Sequence, residues 1–96
     1  MIGYWKGKSV DEKWRIYIPS KVRKNFDNSL FLTLGEEKIV VILKEKNLDK
    51  YCIEVPIDSQ DRITIPNIFR DSNSFFFEKK VDLVGFQDRL EIWPSP

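Results

Sequence analysis

The sequence predicts a mainly β fold, a small barrel assembled from two tandem ββαββ-type repeats with short helices. Three observations predict it. One segment recurs at an offset of 47 residues, apolar side chains alternate at strand period in both copies, and a proline at the same place in each copy ends a strand and opens a short helix.

The repeat is clearest from Asp11 to Arg23, which reads D-E-K-W-R-I-Y-I-P-S-K-V-R, against Asp58 to Arg70, which reads D-S-Q-D-R-I-T-I-P-N-I-F-R: six identities in thirteen positions. Further on, Leu30-Phe31-Leu32-Thr33-Leu34-Gly35 matches Lys80-Val81-Asp82-Leu83-Val84-Gly85, and Ile39-Val40-Val41-Ile42-Leu43 matches Arg89-Leu90-Glu91-Ile92-Trp93. Three matches in one order divide the chain, read as one domain over 1–96, into repeats 1–47 and 48–96.

Each copy predicts the same elements in turn. Tyr4–Val10 and Tyr51–Ile57 are strands by their β-branched and aromatic content. Asp11–Trp14 and Asp58–Asp61 are turns, because an aspartate can bond the backbone two residues on. Arg15–Ile18 and Arg62–Ile65 alternate polar and apolar, placing Ile16 and Ile18, and Ile63 and Ile65, on one face. Short helices follow over Ser20–Asn25 and Asn67–Asp71, and a hairpin closes each copy with turns at Gly35–Lys38 and Gly85–Asp88. A half of this size cannot bury a sheet face alone, but two can cover each other, and closure into a barrel removes exposed edges. Lys44–Lys50 is too short a connection to separate two independent domains.

Composition narrows the function. Hydrophobic residues are 42% and charged residues 32%, a globular balance. The longest clean apolar run, Ile39–Leu43, is far too short to span a bilayer, and Met1–Lys8 holds no apolar leader. A single cysteine, Cys52, fits a reducing compartment, so the expectation is a cytoplasmic, nucleoid-associated protein without membrane contact. Cys52 is expected to be a small buried apolar residue. There is no histidine, which removes the commonest general base and metal ligand. We therefore expect no catalysis, no metal, no cofactor and no small-molecule substrate.

Net charge is +1, but it is polarised. Residues 1–47 carry ten Lys/Arg and six Asp/Glu, a balance of +4, while residues 48–96 carry six and nine, a balance of −3. Lys6, Lys8, Lys13, Arg15, Lys21, Arg23 and Lys24 form a basic stretch opposed only by Asp11 and Glu12. Such a stretch is either a solvated face or a surface for a polyanion, with lysines positioning on phosphates and arginines reaching base edges.

The paired Asp-x-x-x-Arg-Ile-x-Ile-Pro motifs, Asp11–Pro19 and Asp58–Pro66, each followed by a short helix bearing an arginine, resemble the AbrB/SpoVT swapped-hairpin family. Two tandem copies, with the ending Leu83–Trp93, resemble its MraZ branch in shortened form. The resemblance covers about 85 of the 96 residues. It implies a swapped-hairpin β-barrel, sequence-specific binding of double-stranded DNA in the major groove, transcription regulation and assembly into a homo-oligomer. It places Lys8, Arg15, Arg23 and Lys24 of the first copy and Arg62 and Arg70 of the second on DNA, with Lys13 and Lys21 completing the basic surface. Asp11 and Asp58 orient the motif instead. Lys8, Lys13, Lys21 and Lys24 become Val55, Gln60, Ile68 and Asp71 in the second copy, so the first copy is expected to dominate affinity. Where the family carries glycine before the motif arginine, this chain has Trp14 and Asp61, so each turn is expected to be strained or reshaped.

A rival reading is a protein-interaction module, an antitoxin or assembly adaptor on the same barrel. Trp14 beside Arg15 invites the idea of a stacking platform, although core packing is the ordinary role of such aromatics. Phe75-Phe76-Phe77 cannot all point inward in a strand, and an exposed member would mark a protein interface.

Overall fold

The computed structural model describes residues 1–96, apart from the side chains of Lys38 and Phe75. In chain order the elements are β1 (Gly3–Ser9), β2 (Arg15–Tyr17), α1 (Ser20–Arg23), β3 (Ser29–Leu34), β4 (Val40–Leu43), β5 (Ile53–Pro56), β6 (Arg62–Thr64), α2 (Asn67–Ser72), β7 (Lys80–Gly85) and β8 (Arg89–Pro94), with 3₁₀ turns at Glu36–Lys38 and Ser74–Glu78. The fold is mainly β, and the elements fall where alternation and turn chemistry put them. Pro19 and Pro66 precede the two helices, and their carbonyls accept the first helical N–H groups, from Val22 and Arg23 and from Phe69 and Arg70.

Six strands form one antiparallel sheet in the order β1-β7-β8-β4-β3-β5, and β2 pairs with β6 as a separate ribbon. The first strand of each half pairs with the hairpin of the other: β1 with β7, and β5 with β3. This exchange is the hairpin swap. The order reads the same from either end when β1, β3 and β4 are interchanged with β5, β7 and β8, so the sheet has a pseudo-two-fold at the β4–β8 pair.

Structure shifts one detail of the repeat. Leu30 lies opposite Val55 and Val81 opposite Lys8, and Lys8 and Val55 are 47 residues apart. Leu30 therefore corresponds to Val81, one residue beyond the match read along the chain. The pleat decides this, because only this register puts Leu30, Leu32, Val81 and Leu83 together inside.

The ribbon covers the sheet through one core. Ile16, Ile18, Ile63 and Ile65 pack with Leu30, Leu32, Val40, Ile42, Leu83, Leu90 and Ile92. Each such side chain contributes roughly 1.5–3 kcal/mol on burial. The Phe75–Phe77 segment is not a strand but lies in the 3₁₀ turn Ser74–Glu78. Phe76 is buried there and Phe77 is 59% exposed, with its ring set edge-on to Trp14 at 5.5 Å. Phe75's outward or inward orientation falls outside the described side chains. Cys52 is half-buried just before β5, its thiol 3.7 Å from the Asn47 carbonyl, rather than fully buried within a strand. No helix among the described residues is long and apolar enough to cross a membrane.

Candidate nucleic-acid interface

The two Asp motifs form matching turns. In the first, Asp11 Oδ1 accepts the N–H groups of Lys13 and Arg15 at 2.9 and 2.8 Å, and Oδ2 accepts Arg15 Nε at 2.6 Å. In the second, Asp58 Oδ1 accepts from Gln60 and Arg62 at 2.8 and 2.9 Å, and Oδ2 accepts Arg62 Nε at 2.9 Å. Each carboxylate thus closes its turn and fixes one edge of its arginine. A guanidinium carries further N–H donors beyond the one so used, and Arg62 also hydrogen-bonds the Tyr17 side chain. Partial burial works to raise the Asp11 carboxyl, but the N–H groups of Arg15 and Lys13 and the Arg15 guanidinium outweigh it, and the pKa falls below 3.8. Asp58 is lowered too, first by the Arg62 backbone N–H, against a smaller effect of burial.

The tips of both turns keep the left-handed shape that favours glycine. Trp14 has φ 63° and Asp61 has φ 61°. The turn is therefore not reshaped, and each non-glycine residue carries strain on the order of 1–2 kcal/mol, less for aspartate.

What these tips contact accounts for their identity. Arg23 on α1 reaches the opposite turn and donates from Nε to Asp61 at 2.8 Å. Its Nη1 donates to the carbonyls of Phe26 and Asp27, both at 2.9 Å. Arg70 on α2 reaches the other turn, and its guanidinium carbon lies 4.8 Å from the centre of the Trp14 ring. Arg70 Nε is buried with no hydrogen-bond acceptor among the described residues, so the ring face is its main partner. Lys79 Nζ also sits over Trp14, at 3.3 Å, and donates to the Asp11 carbonyl. Trp14 is thus covered by two cations and Phe77 and packs against the core, which leaves no free stacking face of the kind a single strand needs.

Outward-facing residues of the ribbon make a different surface. Arg15 lies opposite Thr64, and Tyr17 opposite Arg62, while Ile16 and Ile63 point inward. Tyr17 is 57% exposed and its ring centre is 5.9 Å from the Arg62 guanidinium carbon. Lys8 and Arg15 line one open groove with Ser9, Asp11 and Tyr17. Lys13 is exposed at the first turn, and Lys21 and Lys24 are exposed on and just after α1. The structure therefore brings Lys8, Asp11, Arg15 and Arg62 around one ribbon, and draws Arg23 and Arg70 into contacts between the halves. Sequence reasoning passed over Tyr17, whose signal was its outward position in the Arg-Ile-Tyr-Ile alternation.

Crossed hairpins around a two-stranded ribbon, with an aspartate-clamped arginine at each end, define a class of small β proteins whose halves exchange strands. A family model described as "MraZ protein, putative antitoxin-like" matches residues 52–96. The chain is 32% identical to the "Transcriptional regulator MraZ" of Alkaliphilus metalliredigens (strain QYMF), over 91% of this chain and 76% of that protein. It is 34% identical to the protein of the same name from Acetivibrio thermocellus, over 88% of this chain and 75% of the relative. For that of Mycoplasma mycoides subsp. mycoides SC the identity is 30%, over 88% and 80%. The chain belongs to the MraZ family.

Proposed function

We propose that this protein is a transcription regulator that binds double-stranded DNA in a sequence-specific way, mainly through basic residues of its first half. The observation that carries this reading is the ribbon. Arg15 and Arg62 stand on paired strands, each held along one edge by its own aspartate, with Lys8 beside Arg15. A two-stranded β-ribbon fits the major groove, and an arginine held in one rotamer can offer a fork of donors to guanine. Lys13, Lys21 and Lys24 add phosphate contacts around it. Arg23 and Arg70 act by tying each helix to the opposite turn.

The relatives carry the name of regulators rather than of enzymes, which supports a non-catalytic role in the cytoplasm at the nucleoid. We take the working form to be a homo-oligomer, because one chain presents only one strongly basic half. One observation favours the alternative of a protein-interaction module: exposed Leu34, Tyr51 and Ile68 line an open groove with Lys50.

The deciding experiment is binding to genomic duplex fragments across a salt series, with sequencing of what is retained. With four to six phosphates neutralised, log K falls against log salt with a slope of about −4 to −5. A steep slope with an enriched motif supports the regulator. Absence of binding at low salt overturns it and favours the protein-interaction reading.

A further inference from the structure

One device present in only one of the two strand pairings sits under Lys8. In the second half, β5 pairs with β3 in unbroken register: Leu30 with Val55, Phe31 with Glu54, Leu32 with Ile53. In the first half, β1 pairs with β7 with a shift: Trp5 lies opposite Leu83 but Lys8 opposite Val81. Lys6 and Gly7 thus share the single position opposite Asp82, which is a β-bulge. The bulge changes which way Lys8 faces. Plain alternation from Trp5, which packs on the core, would put Lys8 on the outer face of the sheet. The extra residue returns it to the side of Val81, where it lines the groove with Arg15 and Tyr17.

Asp82 holds that bulge. It is 1% exposed and is the one buried carboxylate among the described residues. Its Oδ1 accepts the Gly7 N–H at 2.8 Å and its Oδ2 accepts the Tyr4 hydroxyl at 2.5 Å. A carboxylate buried without partners is costly, so these bonds are obligatory rather than incidental. Burial pushes its carboxyl up, but the Tyr4 hydroxyl, the Gly7 N–H, Ser95 and the charge of Lys6 outweigh that and keep it ionised. Gly7 completes the device with φ 64°, a left-handed bulge conformation. At the equivalent β5–β3 pairing Phe31 stands for Asp82, Glu54 for Gly7 and Val55 for Lys8, and no bulge forms. The carboxylate, the glycine, the bulge and the lysine occur together or not at all.

We propose that Asp82, with Tyr4 and Gly7, is a positioning unit that turns Lys8 into the DNA-facing groove and so makes the first half the stronger reader. This inference rests on the DNA-binding reading above. It is tested on the full chain with a random-sequence duplex of about 30 base pairs, across a salt series, for Tyr4→Phe, Asp82→Asn and Lys8→Ala and for each of the first two combined with Lys8→Ala. Circular dichroism establishes that each variant is folded, and Tyr4→Phe, which removes one hydroxyl, carries the test where Asp82→Asn does not fold.

Tyr4→Phe and Asp82→Asn should each lower affinity about threefold to tenfold and flatten the salt slope by up to about one, as loss of one phosphate contact does. Neither should add to Lys8→Ala. Folded single variants with an unchanged slope, or an equal further loss in the Lys8→Ala background, overturn the inference while leaving the DNA reading intact. A wild-type chain without salt-dependent binding overturns both.

Discussion

Ile16 and Ile63 face each other across β2 and β6, and they are the same position of the two motifs, 47 residues apart. The pseudo-two-fold therefore passes through this pair as well as through the β4–β8 pair. Around it the halves exchange backbone bonds: the Ile18 N–H donates to the Asp61 carbonyl and the Ile65 N–H to the Trp14 carbonyl, both at 2.8 Å. Ile16 and Ile63 are each 1% exposed. Ile16→Ala or Ile63→Ala should cost about 2–5 kcal/mol in urea unfolding, and Ile→Val about 0.5–1.5. A loss below 1 kcal/mol for both alanine variants would mean that the ribbon is an appendage and not part of the core.

Trp14 and Asp61 occupy equivalent strained positions but hold their arginines differently, which predicts unequal responses to glycine. Asp61→Gly relieves the backbone and removes an ion pair whose aspartate side chain is 55% exposed, so stability should change by less than about 1 kcal/mol. Trp14→Gly relieves the same strain but uncovers core and strands Arg70, whose Nε has no other partner, so a loss of about 2 kcal/mol or more is expected. Thermal melting of both variants checks this, and equal effects would remove the distinction between the two cross-braces.

How legible was all this along the chain? The ribbon and its turns were legible because aspartate turns and period-two alternation are local. Pro19 and Pro66 likewise marked the helix starts without help from the rest of the fold. The contacts of Arg23 and Arg70 were not legible, because each reaches a turn of the other half and nothing near it in sequence names the partner. The bulge left one trace, Gly7 inside a strand, but its holder Asp82 lies 75 residues away. Phe75-Phe76-Phe77 misled by composition: aromatic runs favour strands, yet Asn73 and Lys79 bracket a 3₁₀ turn through bonds to Phe76.

Acid should act on the motif aspartates before neutral pH acts on anything. Asp11 and Asp58 have folded pKa values below the ordinary 3.8. Their stabilising contribution is therefore complete above that value and is lost as pH falls through the lower folded values. Melting temperature should hold from about pH 8 to pH 5 and drop below about pH 4, with a shallower drop in the Asp11→Asn, Asp58→Asn double variant. DNA affinity should vary less than about twofold between pH 6 and 8, since the chain has no histidine. A tenfold change there would point to a titrating group in the interface.

On the proposed DNA-binding reading, the same geometry should make the two ribbon arginines unequal readers. Arg15 has Lys8 beside it and Lys13 at its turn, whereas the positions equivalent to those lysines near Arg62 are Val55, in the core, and Gln60. Arg15→Ala should therefore weaken binding about tenfold or more, within the 1–3 kcal/mol of a base-reading arginine, and Arg62→Ala should weaken it less. Equal losses in a gel-shift titration would refute dominance of the first half. Arg62 has a different neighbour across the ribbon, the exposed Tyr17, where Arg15 has Thr64. Exchanging them, as Tyr17→Thr with Thr64→Tyr, keeps every charge and moves the aromatic ring from one arginine to the other. The salt slope should stay constant while the base preference recovered by selection and sequencing shifts. An unchanged motif would mean that Tyr17 only packs on Arg62 and that the arginines alone set the sequence read.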